Sequence, residues 1–121
     1  MFSVLLIDDS EPYRRGLARL LSQMPDMTVV GEAENGLVGL ALIKGLNPDV
    51  VVLDLQMPVL NGVAVLRAIR EQQLRTKVVV MTTDPFIETD LRVLGADAVV
   101  MKGESADKLI PVLKRVATGG D

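Results

Sequence analysis

Three carboxylates stand directly after apolar runs of the sequence. Asp8 and Asp9 follow residues 4–7, and Asp54 follows residues 50–53. Carboxylates about 5 Å apart repel one another by roughly 3 kcal/mol per pair at an effective dielectric constant near 20. If the fold brings the three together, the arrangement is therefore costly unless a cation lies among them. Hard oxygen ligands of this kind suit Mg²⁺, which keeps several waters and also takes phosphate oxygens.

Hydroxyl and ammonium groups follow two later apolar runs. Thr82 and Thr83 come after residues 78–81, and Lys102 comes after residues 98–101. Each has an ordinary alternative, since threonine is common at strand ends and a lysine can extend along the surface with its charge in water. The acidic residues could equally be solvated turn residues. The prediction of a site depends on all of these groups converging.

The elements that would position these groups follow from the apolar pattern. Five short runs rich in β-branched residues predict strands buried on both faces, at residues 4–7, 28–30, 50–53, 78–81 and 98–101. Helical spacing of apolar residues lies after each run. The order βαβαβαβαβα predicts an α/β, doubly wound (βα)5 fold of the flavodoxin-like type, with a parallel sheet in the order 2-1-3-4-5. Ligands bind such sheets beyond the carboxyl ends of the strands.

Composition excludes several classes of function. The 121 residues include no Cys and no His, so thiolate and imidazole metal sites, disulfides and histidine bases are absent from this sequence. A net charge of −3 and three aromatic residues argue against direct contact with nucleic acid. No apolar run approaches the roughly 20 residues of a membrane span, and no signal peptide is recognisable. We expect a cytoplasmic protein without a membrane segment.

The motifs in this order closely resemble the receiver domain of two-component response regulators, of the CheY-like superfamily. The supporting stretches are residues 6–10 (LIDDS), 48–58 (PDVVVLDLQMP), 61–62 (NG), 80–83 (VMTT) and 95–97 (GAD) before Lys102. Residues 29–36 (VVGEAENG) resemble the subclass that precedes a LuxR/NarL-type helix-turn-helix.

The resemblance implies a role for each polar position. Asp54 matches the phosphoacceptor, which takes its phosphoryl group from a histidine kinase. The Mg²⁺ ligands would be Asp9, Asp54 and the backbone carbonyl of Gln56, with Asp8 acting through a water. Phosphoryl binding and switching would fall to Thr82, to the backbone N–H of Thr83 and to Lys102.

The chain departs from the family on one side. The position three residues before the lysine is often aromatic and is Val99 here, so no aromatic ring can rotate there. Gly103 replaces a frequent proline. The segment containing Pro85 predicts a short fourth helix. We expect a complete phosphorylation pocket with a non-standard output mechanism.

The resemblance also frames the rest of the protein. Residues 1–118 would form the receiver domain, and residues 119–121 would begin a linker to an output domain. That domain would regulate transcription, and phosphorylation could change a dimerisation surface to give a homodimer.

Two other functions compete with the switch. Phosphatases of the haloacid-dehalogenase type use a similar fold, but they need an acid two residues after the nucleophile, where this chain has Gln56. A receiver-like module could also bind proteins without being phosphorylated. The expectation is a switch rather than an enzyme.

Overall fold

Five parallel strands and five helices alternate along the part of the chain that the structure describes. The computed structural model describes residues 1–57, 59–84, 87–104 and 106–119. The strands are β1 (Phe2–Ile7), β2 (Met27–Ala33), β3 (Val50–Asp54), β4 (Lys77–Thr82) and β5 (Ala98–Met101). The helices are α1 (Glu11–Ser22), α2 (Gly36–Leu46), α3 (Gly62–Glu71), α4 (Glu88–Val93) and α5 (Ala106–Ala117).

The sheet has the order β2-β1-β3-β4-β5, and every neighbouring pair is parallel. The predicted doubly wound fold and strand order are confirmed. All five residues of β3 are buried, as are all residues of β4 except the first. These central strands can therefore be almost entirely apolar, because helices cover both faces of the sheet.

Among the described residues, two apolar clusters form the core, one on each face of the sheet. Alternate residues of each strand supply them: Val50 and Val52 face α1 and α5, whereas Val51 and Leu53 face α2, α3 and α4. This alternation follows from the two-residue period of a strand. The carboxyl ends of β1, β3, β4 and β5 are thus held rigidly at one rim.

The element boundaries differ from the expectation mainly at the edge of the sheet. The second strand was predicted at residues 28–30, but β2 spans Met27–Ala33. Its polar residue Glu32 accepts a hydrogen bond at 3.0 Å from Nε of the buried Arg14. This contact allows a polar side chain within the strand. The short fourth helix is confirmed, at Glu88–Val93.

Some expected features lie outside the described residues. These are Pro58, Pro85 and Ser105, where the helical spacing of apolar residues 109–116 predicts an N-cap. No helix formed by the described residues combines the length and the apolarity needed to cross a membrane.

Candidate functional site

Backbone contacts at the ends of the central strands position the acidic residues. Asp54 is the last residue of β3, and the N–H of the next residue, Leu55, donates to the carbonyl of Met81 on β4 at 3.2 Å. Asp8 follows β1, and its N–H donates to the carbonyl of Ala33 on β2 at 3.0 Å. These hydrogen bonds extend the sheet beyond the strands and fix the carboxylates at the rim.

The three carboxylates converge. Oxygens of Asp8, Asp9 and Asp54 all lie within 4.8 Å of one another. Asp8 and Asp54 are each 6% exposed, whereas Asp9 is exposed to solvent. The cluster therefore has a buried floor and an open side through which an ion or a substrate could enter.

Lys102 lies between two of these carboxylates. Its Nζ is 3.0 Å from Asp8 Oδ2 and 3.3 Å from Asp54 Oδ2. The backbone holds it there, since the N–H of Lys102 donates to the carbonyl of Thr82 at 2.8 Å. The sequence predicts that Lys102 faces the acidic cluster. The direct ion pair of Lys102 with Asp8 is seen only in the structure.

Burial and charge alter the acidity of these groups. Burial, followed by the negative charge of Asp8, raises the pKa of Asp54 to about 6, although Lys102 acts in the opposite direction. Burial disfavours the charged ammonium of Lys102, but its hydrogen bond to Asp8 and the two carboxylate charges outweigh burial and raise its pKa. The surroundings thus favour the charged form of the Lys102 ammonium and disfavour the charged form of the Asp54 carboxylate.

The remaining predicted residues surround the same opening. A cavity of about 270 Å³ is lined by Asp9, Asp54, Leu55, Gln56, Thr82, Thr83 and Lys102. Thr82 is buried and its Oγ1 accepts a hydrogen bond from the Asp84 N–H at 3.1 Å, so the hydroxyl proton can be donated towards the cavity. The Gln56 N–H points back to Asp54 Oδ1 at 3.4 Å.

The loop from β3 to α3 depends on a glycine. The Gly62 N–H donates to the carbonyl of Leu55 at 2.9 Å, and a Cβ at Gly62 would lie 2.5 Å from the Asp54 carbonyl oxygen and 2.7 Å from the Leu55 Cα. Asn61 caps α3 by accepting from the Ala64 N–H at 2.9 Å. Residues 61–62 thus act as turn and cap residues that let α3 approach the acidic strand end closely.

Val99 lies apart from this cavity. It lines a separate cavity of about 230 Å³ between α4, β5 and α5, together with Glu88, Met101 and Val112. The side chain is partly buried against the core cluster on the α4 face.

Two residues at the site were missed by the sequence reasoning. Arg14, buried in α1, donates from Nη1 to the Asp8 carbonyl at 2.7 Å and from Nε to Glu32 at 3.0 Å. Tyr13 places its ring centroid 4.9 Å from Lys102 Nζ. The one signal in the sequence that could have indicated these residues is their position in the first turn of α1, because that turn begins at the rim where the strands end.

The fold and the acidic rim are those of response regulator receiver domains, and comparison with known protein families gives the same result. The family model of the response regulator receiver domain matches residues 4–114 of this chain. The chain belongs to this family, and the predicted family is confirmed.

Individual relatives place the chain near the LuxR/NarL type. It is 40% identical over 119 residues to the nitrate/nitrite response regulator protein NarL of Escherichia coli, covering 97% of this chain and 55% of that protein. It is 34% identical to the transcriptional regulatory protein DegU of Brevibacillus brevis, covering 97% of this chain and 50% of DegU. The chain therefore spans about half the length of these curated relatives.

Solved structures give the same result. The signal receiver domain of the putative response regulator NarL from Mycobacterium tuberculosis superposes with a TM-score of 0.91 at 32% identity, covering 98% of this chain and 97% of that one. The response regulator domain of Thermotoga maritima CheB superposes with a TM-score of 0.90 at 27% identity, covering 98% and 97%.

Proposed function

We propose that this domain is a phosphorylation switch in which Asp54 accepts a phosphoryl group from a histidine kinase. One observation carries the proposal: the buried Asp54 carboxylate opens into a cavity with a lysine ammonium 3.3 Å from one of its oxygens. A nucleophilic carboxylate beside a fixed cation is suited to attack phosphorus and to receive the negative charge that arrives with it.

The residues present fit a magnesium ion. Ligand oxygens of an octahedral Mg²⁺ lie at about 2.1 Å from the metal, and thus roughly 3 to 4 Å from each other. One oxygen each of Asp9 and Asp54 lies within 4.8 Å of the other, so both can approach one ion, and an Asp8 oxygen lies within the same distance of each. Asp9, Asp54 and the Gln56 carbonyl would hold the ion, with Asp8 acting through a water. When bound, Mg²⁺ would neutralise phosphoryl oxygens and relieve the repulsion among the carboxylates.

The side chains of the domain divide the remaining work. Asp54 must be ionised to act as a nucleophile, and with a pKa of about 6 it is mostly ionised at pH 7.5. Lys102 would pair with the phosphoryl oxygens, and the Thr82 hydroxyl and Thr83 N–H would each donate one hydrogen bond. Because these donors stand at or directly after strand ends, they already line the cavity before charge arrives.

The output side would work without an aromatic switch. Since Val99 carries no ring, the shift of Thr82 and Lys102 towards the phosphoryl group would have to reach the surface through the backbone of β4 and β5. Gly103 follows Lys102 directly and gives that segment more backbone freedom than another residue would. In this proposal the α4, β5 and α5 surface responds, and a homodimer is one form that the response could take.

The rest of the proposed protein follows from the relatives. Residues 1–118 would form the receiver domain and residues 119–121 would begin a linker to a helix-turn-helix domain. Such a protein would regulate transcription in the cytoplasm, with the histidine kinase as its phosphodonor.

The test is the intact mass of the protein after incubation with acetyl phosphate. Wild-type protein with Mg²⁺ should gain one phosphoryl group, and protein in EDTA should gain none. Asp54→Asn should gain none under either condition, whereas Glu71→Gln, on an exposed helix end, should behave as wild type. An unchanged mass for wild type would favour the alternative of an unphosphorylated binding module, and steady release of phosphate from small phosphoesters would favour a phosphatase.

A further inference from the structure

The Lys102 ammonium has a neighbour besides the two carboxylates. Tyr13 lies in the first turn of α1, and its ring centroid is 4.9 Å from Lys102 Nζ. A cation within about 6 Å of an aromatic ring is attracted to the negative face of the ring. Lys102 therefore lies between two carboxylates and an aromatic ring.

The Tyr13 ring is itself held in place. Its hydroxyl donates to Met81 Sδ at 3.7 Å, and Met81 is the residue of β4 that pairs with Asp54 of β3. The next residue, Arg14, ties α1 to the Asp8 carbonyl at 2.7 Å. The ring thus has a fixed position relative to the carboxylates, set by β4 on one side and by β1 on the other.

An uncharged partner for Lys102 has a specific use at this site. The ion pairs of Lys102 with Asp8 and Asp54 weaken when those carboxylates share their charge with a divalent cation, before a phosphoryl group is there to pair with the ammonium. The attraction of the ring does not depend on the charge of either carboxylate. A lysine side chain is long and flexible, so it needs such a partner to stay directed at the cavity.

We propose that Tyr13 is a positioning residue that keeps the Lys102 ammonium at the mouth of the acidic cavity while the carboxylates are otherwise engaged. This inference rests on the proposed phosphorylation of Asp54 and adds a residue of α1 to the machinery. The competing explanation is that Tyr13 only packs, because it also touches the core cluster beside α1 and lines a cavity of about 340 Å³ between α1 and the start of α5.

The first test measures the rate of mass gain with acetyl phosphate and saturating Mg²⁺. Tyr13→Phe keeps the ring and should stay within about twofold of wild type, whereas Tyr13→Leu should be roughly threefold to tenfold slower, as loss of a cation–π contact implies. In a Lys102→Met background, Tyr13→Leu should cause no further loss. Equal losses in both backgrounds, or a loss in Tyr13→Phe as large as in Tyr13→Leu, would overturn the proposal.

A second test does not depend on phosphorylation. Limited acetylation of the protein in saturating Mg²⁺ without a phosphodonor, read by peptide mass spectrometry, gives the labelling rate of Lys102 relative to the exposed Lys44. Tyr13→Leu should raise this ratio several-fold, and Tyr13→Phe should not. Leu20→Ala is the matched control, since Leu20 lines the same cavity as Tyr13; this substitution should leave the ratio unchanged.

The two tests separate the two proposals. An unchanged Lys102 ratio in Tyr13→Leu refutes the positioning role, whether or not Asp54 is phosphorylated. A raised ratio in a protein whose wild-type form gains no phosphoryl group refutes the proposed function and, with it, the task assigned to Tyr13, while the contact with Lys102 stands.

Discussion

Removing the charge of Asp54 should stabilise the metal-free domain. In the folded protein burial and the charge of Asp8 raise the pKa of this carboxyl to about 6, from 3.8 for the unperturbed group. Between these two pH values the folded state binds more protons than the unfolded state. The free energy of unfolding therefore falls as pH rises through this window, and the loss is complete above it.

The size of the effect follows from the two pKa values. Their difference, at 1.36 kcal/mol per pKa unit, corresponds to about 3 kcal/mol, and the Asp54 side chain is only 7% exposed, so solvent screening reduces this little. The Asp54→Asn variant has no charge at this position, so it avoids this loss of stability at pH 7.5. The ion pair of Lys102 with Asp8, which is 3.0 Å long in wild type, should be kept in that variant.

Urea unfolding in EDTA at pH 7.5 and at pH 4.5 measures this effect. At pH 7.5 the midpoint of Asp54→Asn should exceed that of wild type by about 1 to 1.5 M, for an m-value of roughly 2 kcal/mol/M. At pH 4.5 the gap should shrink markedly. Glu71→Gln, which removes an exposed carboxylate far from the site, should stay within about 0.5 kcal/mol of wild type. Equal midpoints at both pH values, or a less stable Asn variant at pH 7.5, would refute the electrostatic reasoning.

Three further predictions concern the metal, the loop and the buried arginine. Mg²⁺ at 100 times its Kd should stabilise wild type by about 2.7 kcal/mol in thermal unfolding, and Asp9→Asn should lose most of that increment at the same concentration. Gly62→Ala should destabilise the domain by about 1 to 3 kcal/mol in urea unfolding, because its Cβ would press on the backbone at the end of β3; a neutral effect would mean that the loop adjusts freely. Arg14→Met should cost at least 2 kcal/mol through the unpaired polar groups it leaves, whereas the exposed Arg15, 3.8 Å from Glu32, should be replaceable at almost no cost. Equal costs at the two arginines would contradict this.

The sequence allowed the fold to be predicted because the central strands are buried on both faces. Runs such as residues 50–53 must then be apolar at every position. The alternation with helices indicates a doubly wound sheet, for which 2-1-3-4-5 is a common order of five strands. The edge strand was harder, since its length is set by backbone pairing with β1 and by the contact of Glu32 with Arg14. Neither is visible in a local pattern of apolar residues.

The site was predictable in outline for a related reason. Parallel strands end at one rim, so polar residues directly after them, such as Asp8, Asp54 and Lys102, meet there. The sequence pattern could not show that the Lys102 ammonium pairs with two carboxylates, at 3.0 and 3.3 Å. It also could not show that burial raises the pKa of Asp54. The approach of Tyr13 from α1 depends on how that helix packs over the sheet, and spacing along the chain does not determine this.

Locating the phosphoryl group on the chain is the most direct test of the proposed switch. Borohydride reduction of the acetyl phosphate-treated protein would convert an aspartyl phosphate into homoserine, and peptide mass spectrometry would identify the converted residue. We predict conversion at Asp54, dependent on Mg²⁺ and absent after EDTA. Conversion at Asp8 or Asp9 instead, or a mass gain with no converted aspartate, would contradict the assignment of Asp54 as the acceptor.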